Sequence, residues 1–195
     1  MNNVLISDDV LIRQSVDRPE RFAALFDRHA PAVHRYLARR IGEAADDLLA
    51  ETFLIAFRGR AGYREQGPGV RPWLYGIATN VLRRHQRQEV RRYRALARMA
   101  GAESLSPESL SPGADQAVDR VDAQALRRQL AAALAGLQRR DRDVLLLTAW
   151  AELSYAEIAA VLAIPVGTVR SRLNRARRVT RDALGPIRIT PEEQS

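Results

Sequence analysis

Cysteine is absent from this chain of 195 residues. Disulfide bonds, cysteine-based zinc sites and thiol nucleophiles are therefore excluded. Histidine is scarce as well, since only His29, His34 and His85 are present and none belongs to a His-Glu-x-x-His pattern. The sequence accordingly predicts neither a metal site nor a cofactor.

Long apolar runs are also missing. No stretch approaches the roughly 20 residues needed to cross a bilayer. The N-terminus carries early acids and lacks the apolar core of a signal peptide. We expect a cytoplasmic protein without membrane insertion. Because the chain has no Gly-rich phosphate-binding motif and no plausible catalytic triad, we do not expect an enzyme.

Lysine is absent too, so all 31 basic residues are arginine. The net charge of +8 and the pI of about 10.9 favour an acidic partner such as nucleic acid, a membrane surface or an acidic protein. Arginine suits forked contacts to phosphates and guanine edges. Codon bias in a GC-rich genome also explains an arginine excess, so the composition alone does not choose among these partners.

One segment interrupts the helical periodicity of the chain. Residues 101–116 are rich in Ser, Pro and Gly, which is typical of a linker. On both sides apolar residues recur at spacings of three, four and seven, and no strand-like alternation is sustained. We predict an all-α chain with two small helical domains, over 1–100 and 119–188, joined by a flexible linker over 101–118.

The C-terminal domain contains a predicted helix-turn-helix. Ser154 and Glu157 form a capping box that starts one helix, and Pro165 stops it. The next helix places Val169 and Leu173 on a packing face, whereas the opposite face carries side chains that read base edges and bind phosphates. A solvated surface usually mixes charge signs, but this one is almost purely cationic, which favours DNA. The predicted duplex contacts are Thr168, Arg170, Ser171, Asn174, Arg175 and Arg178.

The stretch EAADDLLAETFLIAFRG in the first domain predicts a helix with two apolar faces. Leu48, Leu49, Thr52, Ile55 and Ala56 can pack on one core. Such a helix is either wholly buried or docked on another protein. The second face comprises Phe53, Leu54 and Phe57, flanked by Asp46, Asp47 and Glu51.

A long helix is predicted to follow, from RPWLYGIATN to the end of an arginine-rich run. Aromatic residues beside an arginine track are typical of single-stranded nucleic-acid binding, where bases stack and the backbone is neutralised. Trp73, Leu74 and Ile77 also have core spacing, so both interpretations stay open.

These motifs resemble, in order and spacing, those of bacterial RNA polymerase sigma factors of the extracytoplasmic-function (ECF) group. FAALFDRHAPAVHRYLARRIG resembles the opening conserved region. ADDLLAETFLIAF is similar to the helix that docks on the clamp helices of polymerase β′, and WLYGIATNVLRRHQR resembles the promoter-melting helix. The segment from LAGLQRRDRDV to VRSRLNRARR resembles the C-terminal helix-turn-helix.

The resemblance implies a factor that binds core RNA polymerase and directs promoter-specific initiation. The second domain then binds a −35-type duplex and contacts the polymerase β flap, and an anti-sigma factor is a possible further partner. The first domain uses the acid-flanked face described above for polymerase and traps a flipped base of the non-template single strand. The implied place for this base is the 58–72 loop, with Tyr63 and Asn80 as the candidate pocket residues. The implied −10-type contacts are Tyr63, Trp73, Asn80, Arg83, Arg84 and Arg87.

The sequence departs from the family pattern at Ala50, at Arg84 and at Ala163. Arg84 replaces a frequent acid, which bears on the −10 preference. Ala163 replaces a frequent Gly in the turn. Either Ala163 adopts a positive φ, which costs less free energy for Gly, or the turn avoids positive φ. Acids of the linker region are implied mimics of nucleic acid; they are Glu103, Glu108 and Asp115.

Two other functions are consistent with parts of the sequence. A helix-turn-helix regulator that binds DNA as a dimer, without core polymerase, leaves the acid-flanked helix and the melting helix unexplained. An adaptor whose basic face binds acidic proteins predicts no sequence-dependent duplex binding.

Overall fold

The computed structural model describes residues 6–64, 67, 69–99 and 114–184. Within these ranges the chain forms α-helices joined by short turns, without a β-strand. The all-α class and the C-terminal helix-turn-helix are confirmed. The helices are α1 (Asp8–Asp17), α2 (Phe22–Ile41), α3 (Ala45–Gly59), α4 (Val70–Arg84), α5 (Gln86–Met99), α6 (Ala114–Gly136), α7 (Arg139–Ala149), α8 (Tyr155–Leu162) and α9 (Val166–Leu184).

The N-terminal domain is built on mutual packing of α2, α3 and α4, with α1 against α2. Leu37 of α2, Ala56 of α3 and Ala78 of α4 are fully buried in its core. Helix α2 continues through Pro31 without ending, so the apolar spacing across this proline is that of one helix.

Helix α1 is not predicted by the sequence patterns above. Its N-terminus is capped by Ser7, whose side chain accepts a hydrogen bond from the backbone N–H of Val10 at 3.4 Å. Asp8 and Asp9 occupy the first turn, where negative charge interacts favourably with the helix dipole. A capping Ser7 followed by two acids is therefore the sequence signal from which α1 could have been predicted.

The predicted long helix after residue 70 is two helices. The chain breaks at His85, whose φ of −100° and ψ of 14° are not helical. The break lets α4 stay in the N-terminal core while α5 packs on α2 and α6. The predicted linker is also shorter at its C-terminal end, because 114–118 already belongs to α6.

The C-terminal domain packs α9 against α6, α7 and α8. Val169, Leu173 and Ala176 of α9 are buried, as the predicted packing face requires. Leu147 of α7 and Ile158 of α8 complete this core and are fully buried. Helix α9 thus presents its remaining faces outward.

The two domains pack against each other. Helix α5 lies on α6, and α4 lies on α8. The guanidinium of Arg39 lies 5.6 Å from the ring centroid of Trp150, and Arg71 donates to the backbone carbonyl of Ala151. The helix that resembles the promoter-melting helix therefore touches the first helix of the helix-turn-helix.

Candidate polymerase and promoter interfaces

The turn between α8 and α9 fixes how α9 is presented. Helix α8 begins with the predicted capping box: the Ser154 N–H donates to Glu157 Oε2 at 2.7 Å, and the Glu157 N–H donates to Ser154 Oγ at 3.3 Å. It ends at Ala163, which has a left-handed φ of 52°. The Ile164 N–H then donates to the Ala159 carbonyl at 3.0 Å, which closes a Schellman-type end.

The outward face of α9 carries most of the predicted duplex contacts in exposed positions. Arg170, Ser171, Asn174 and Arg178 are exposed, whereas Thr168 at the helix start is half-buried. The Ser171 hydroxyl donates to the Thr168 carbonyl at 3.0 Å, so this pair is linked within the first turn. Arginine and amide side chains on one helical face can reach base edges and phosphates together.

Arg175 is exposed but not free. Its Nη1 lies 3.3 Å from Asp141 Oδ2 and 3.4 Å from Asp141 Oδ1. Asp141, in the first turn of α7, is almost completely buried. The buried carboxylate therefore restricts the positions that the Arg175 guanidinium can reach. Helical periodicity does not reveal this constraint.

The two-faced helix α3 is divided differently from the prediction. Phe53, predicted on the outward face, is only 5% exposed. Its ring makes edge contacts with Phe26 at 4.8 Å and Phe22 at 6.4 Å between centroids. Ile55, predicted in the core, is 40% exposed. Phe53 is buried because aromatic residues of α2 pack over it, and a wheel of α3 alone contains no information about that neighbour.

Leu54 and Ile55 form the exposed apolar edge of α3, which we call the α3 edge. Leu54 is 46% exposed, and Phe57 is half-buried against Phe22. Apolar side chains left in solvent at adjacent positions are typical of a docking surface when acids flank them.

The predicted acids of α3 lie in different environments. Asp46 and Asp47 are exposed in the first turn, and Asp46 Oδ1 lies 3.0 Å from His34 Nε2. Glu51 is half-buried and pairs with Arg84 of α4. One residue assigned to polymerase and one assigned to DNA are thus partners of each other.

Asn80 and Arg84 are the predicted −10-type contacts that the structure brings together. With Ile55, Ile77 and Val81 they line a hollow of about 290 Å³ between α3 and α4. Asn80 is exposed at its rim. The lining of this hollow is mainly apolar, and Asn80 and Arg84 are its polar residues.

Tyr63 and Trp73 form a separate aromatic pair. Their ring centroids are 5.2 Å apart, and the Tyr63 hydroxyl donates to Asp9 Oδ1 at 2.6 Å. Both residues are half-buried, so each serves the domain's packing while keeping some exposed ring. Arg83 and Arg87 are exposed beyond them on α4 and α5.

A buried cluster of four charged side chains joins the domains, and sequence reasoning missed it. Arg40 of α2 donates through Nε to Glu89 Oε1 of α5 and through Nη2 to Asp143 Oδ1 of α7, both at 2.6 Å. Arg142 of α7 donates through Nη2 to Glu89 Oε2 at 3.1 Å. All four are at most 2% exposed. We call this set the seam cluster.

Phenol groups border the seam cluster. Arg40 Nη1 donates to the Tyr36 hydroxyl at 2.6 Å. Burial raises the pKa of the Tyr36 and Tyr93 hydroxyls, and the nearby Glu89 carboxylate adds to the effect at Tyr93. Both phenols are therefore neutral across the physiological range, and the charge of the cluster is carried by its arginines and acids.

Some predictions fall outside the described side chains. Glu103, Glu108 and Asp115 of the linker region are among them. In the described part of the chain, no three His, Asp or Glu side chains are grouped so that they could hold a metal ion. Over the same residues, every helix is too short or too polar to cross a bilayer.

The comparisons with known proteins agree with this architecture. The family model "Sigma-70 region 2" matches residues 25–92, and "Sigma-70, region 4" matches residues 127–179. The RNA polymerase sigma factor CarQ of Myxococcus xanthus is 36% identical over 177 residues, which cover 87% of this chain and 92% of CarQ. The ECF RNA polymerase sigma factor SigL of Mycobacterium tuberculosis is 33% identical, with 86% of this chain and 90% of SigL covered.

This chain belongs to the ECF sigma factors. A sigma factor of this kind binds core RNA polymerase and directs transcription initiation at specific promoters, so the predicted function is confirmed and the polymerase-independent regulator is not favoured. Among solved structures, CnrH in complex with the cytosolic domain of CnrY matches with a TM-score of 0.62 and 25% identity, over 89% of this chain and 94% of that chain. The sigma factor RpoE of Bartonella quintana, in complex with the anti-sigma factor NepR, shares the fold with a TM-score of 0.57 at 21% identity, over 85% of this chain and 97% of that chain.

Proposed function

We propose that this sigma factor meets core polymerase through the α3 edge. Leu54 and Ile55 are large apolar side chains in solvent, and Asp46 and Asp47 are exposed acids on the same helix. This combination supports docking on a surface that offers an apolar groove with basic flanks, which the resemblance identifies as the β′ clamp helices. The exposure of the α3 edge to solvent is the observation that supports this proposal most directly.

Helix α9 supplies the −35-type contact in this scheme. Arg170, Ser171, Asn174 and Arg178 reach the duplex directly, and Arg175 does so from a position fixed by Asp141. Thr168 contributes at the N-terminus of α9, where backbone N–H groups also favour a phosphate. The domain that carries α9 also contacts the polymerase β flap.

The −10-type contact uses two parts of the N-terminal domain. The hollow beside Asn80 and Arg84 accepts an unpaired base of the non-template strand, because an amide and a guanidinium can bind base edges above an apolar floor. Arg83 and Arg87 neutralise the backbone, and the Tyr63–Trp73 pair offers a partly exposed stacking surface. Since Tyr63 is tied to Asp9, Asn80 is the better pocket residue of the two.

The protein acts in the cytoplasm as a specificity factor without catalytic activity of its own. The complexes of CnrH with CnrY and of RpoE with NepR support an additional role for an anti-sigma protein that holds this chain inactive.

Direct titration of the labelled protein with purified core polymerase, followed by fluorescence anisotropy, tests the polymerase contact. We expect saturable binding that Leu54→Asp weakens at least tenfold. Leu126→Asp, which places the same charge on a similarly exposed leucine of α6 (40% exposed), is the matched control for added charge. Equal weakening by both variants would argue against the α3 edge, and no binding by the parent would favour the polymerase-independent regulator.

A further inference from the structure

A cavity of about 750 Å³ lies between α5 and α6, and its wall also includes Arg39 of α2 and Trp150 at the end of α7. Its volume is within the range of about 300–1,000 Å³ that is typical of small-molecule sites. None of its lining residues is among the proposed contacts to polymerase or to promoter DNA. The cavity is therefore separate from both interfaces described above.

Much of the lining of this cavity is aliphatic. Ala131 and Leu134 of α6 are buried in its wall. Leu96 of α5 is 42% exposed and Leu130 of α6 is 39% exposed, so the cavity is open to solvent beside these two leucines. Large apolar side chains left in solvent at a concave site are typical of a surface that binds an apolar group.

The charged side chains of the lining all have the same sign. They are Arg39, Arg92 and Arg127, and over the described residues no Asp or Glu lines the cavity. The Arg39 guanidinium lies 5.6 Å from the ring centroid of Trp150, so a cation–π contact keeps this charge beside the cavity. A concave site lined by arginines without a carboxylate favours an anionic ligand, because guanidinium groups bind carboxylates and phosphates through charge-assisted hydrogen bonds.

Two hydrogen-bond donors of the lining residues are unused. Arg92 Nε and the Tyr93 hydroxyl are buried, and neither has a hydrogen-bond partner in the described part of the chain. A buried donor without a partner costs about 1–3 kcal/mol, so an acceptor oxygen that reaches this wall is favoured. Burial raises the pKa of the Tyr93 hydroxyl, so the phenol stays neutral and does not repel an anion.

We propose that this cavity binds a small anionic amphiphile, a single aliphatic chain with a carboxylate or phosphate head. The head lies among the arginines, and the chain lies along Leu96, Leu130 and Leu134. The ligand is a freely diffusing molecule and not part of a bilayer, because the cavity has the volume of a site for one small molecule. The proposal does not depend on how the polymerase and promoter contacts are assigned.

Isothermal titration calorimetry of the full chain with dodecanoate and with dodecyl phosphate, each below its critical micelle concentration, tests the proposal. We expect at least one of them to bind saturably, with one molecule per chain. Dodecyltrimethylammonium has the same chain and the opposite charge, and acetate has no chain, so both should bind at least about tenfold more weakly. Many molecules per chain, equal binding of the cationic amphiphile, or no binding of either anion would overturn the proposal.

Matched variants test which residues hold the ligand. Leu130→Asp should weaken binding at least about tenfold, because it puts a negative charge beside the chain and the head. Leu126→Asp puts the same charge one turn away on α6, at a leucine that is 40% exposed and does not line the cavity, and should weaken binding less than about threefold.

Arg127→Gln is a milder variant at an exposed position, and Arg98→Gln is its control at an exposed position of α5 outside this cavity. We expect several-fold weaker binding for the first and no change for the second. Equal losses within either pair of variants would overturn the proposal.

The fluorescence of Trp150 reports whether the ligand enters this cavity. The chain has only one other tryptophan, Trp73, so a Trp73→Phe background makes Trp150 the sole emitter. We expect its emission to shift with the same midpoint as the calorimetric titration. Binding that leaves this emission unchanged would place the ligand elsewhere and overturn the proposal. Binding to phosphatidylglycerol vesicles without binding of either free anion would overturn it too.

Discussion

Helices α3 and α9 each pack one face and expose another, but only α9 could be oriented correctly from its sequence. In α9 the buried face is apolar and the opposite face is polar and rich in arginine, so one orientation satisfies the hydrophobic effect. In α3 both faces are apolar, and several orientations satisfy it equally well. Packing against α2 determines the orientation of α3. Phe22 and Phe26 of α2 pack on Phe53, and Leu54 and Ile55 of α3 remain in solvent.

The comparison shows that an amphipathic pattern determines an orientation only when the two faces differ in polarity. Where they do not, the residues left exposed after packing become the candidate docking surface. Substitutions at neighbouring positions of α3 should therefore differ in effect, since a buried position affects stability and an exposed one affects binding. The same difference is expected along α9, where the sequence itself shows which positions are buried.

The largest effect is expected for Phe53→Asp. The change removes a buried ring, which costs about 3–5 kcal/mol for truncation alone, and it buries a charge as well. Since small domains are stable by only about 5–15 kcal/mol, we expect the N-terminal domain to be largely unfolded. Urea denaturation followed by circular dichroism measures this directly.

Leu54→Asp is the matched variant one residue away. Its side chain is 46% exposed, so the free energy of unfolding should stay within about 0.5–1 kcal/mol of the parent. A folded Phe53→Asp protein, or an unfolded Leu54→Asp protein, would reverse the assignment of the two faces.

An intermediate effect is expected for Arg175→Ala on α9. If the guanidinium forks on a base, the change should cost about 1–3 kcal/mol of binding to the preferred duplex and relax the preference at one upstream position. Competition binding with a set of single-base variants of the −35-type duplex measures both quantities.

Asp141→Asn keeps Arg175 but removes the buried charge that holds it. We expect this variant to relax preference at the same base pair as Arg175→Ala, with a smaller loss. Uniform weakening on all duplexes by Arg175→Ala would mean that the side chain contacts only phosphate.

The smallest effect is expected for Ala163→Gly in the turn. Ala163 has a φ of 52°, which disfavours any residue with a Cβ by about 1–2 kcal/mol, partly offset by the greater chain entropy of Gly. We expect a net stabilisation of about 0.5–1 kcal/mol in urea unfolding, with duplex preference unchanged. A loss of stability would indicate that the Ala163 methyl group contributes packing that exceeds the backbone strain.

Local signals in the sequence predicted the helix-turn-helix well, because the cap at Ser154, the stop at Pro165 and the buried positions Val169 and Leu173 all act within a few residues. The break at His85 and the burial of Phe53 were not predictable in this way. The first depends on where α5 finds its partners, and the second on aromatic side chains of another helix.

The seam cluster was the least accessible feature to sequence reasoning. Arg40 and Asp143 are 103 residues apart along the chain. Each lies in a stretch rich in charged residues, so neither position differs from its solvated neighbours until the two domains are packed. The same holds for Asp141 and Arg175, which are 34 residues apart.

Run-off transcription from genomic promoter fragments, with purified core polymerase in the presence and absence of the protein, tests the central claim most directly. We predict discrete start sites that depend on the parent protein, that require at least about tenfold more protein with Leu54→Asp, and whose promoter preference changes with Arg175→Ala. Start sites that are identical with and without the protein, at saturating concentration, would contradict it.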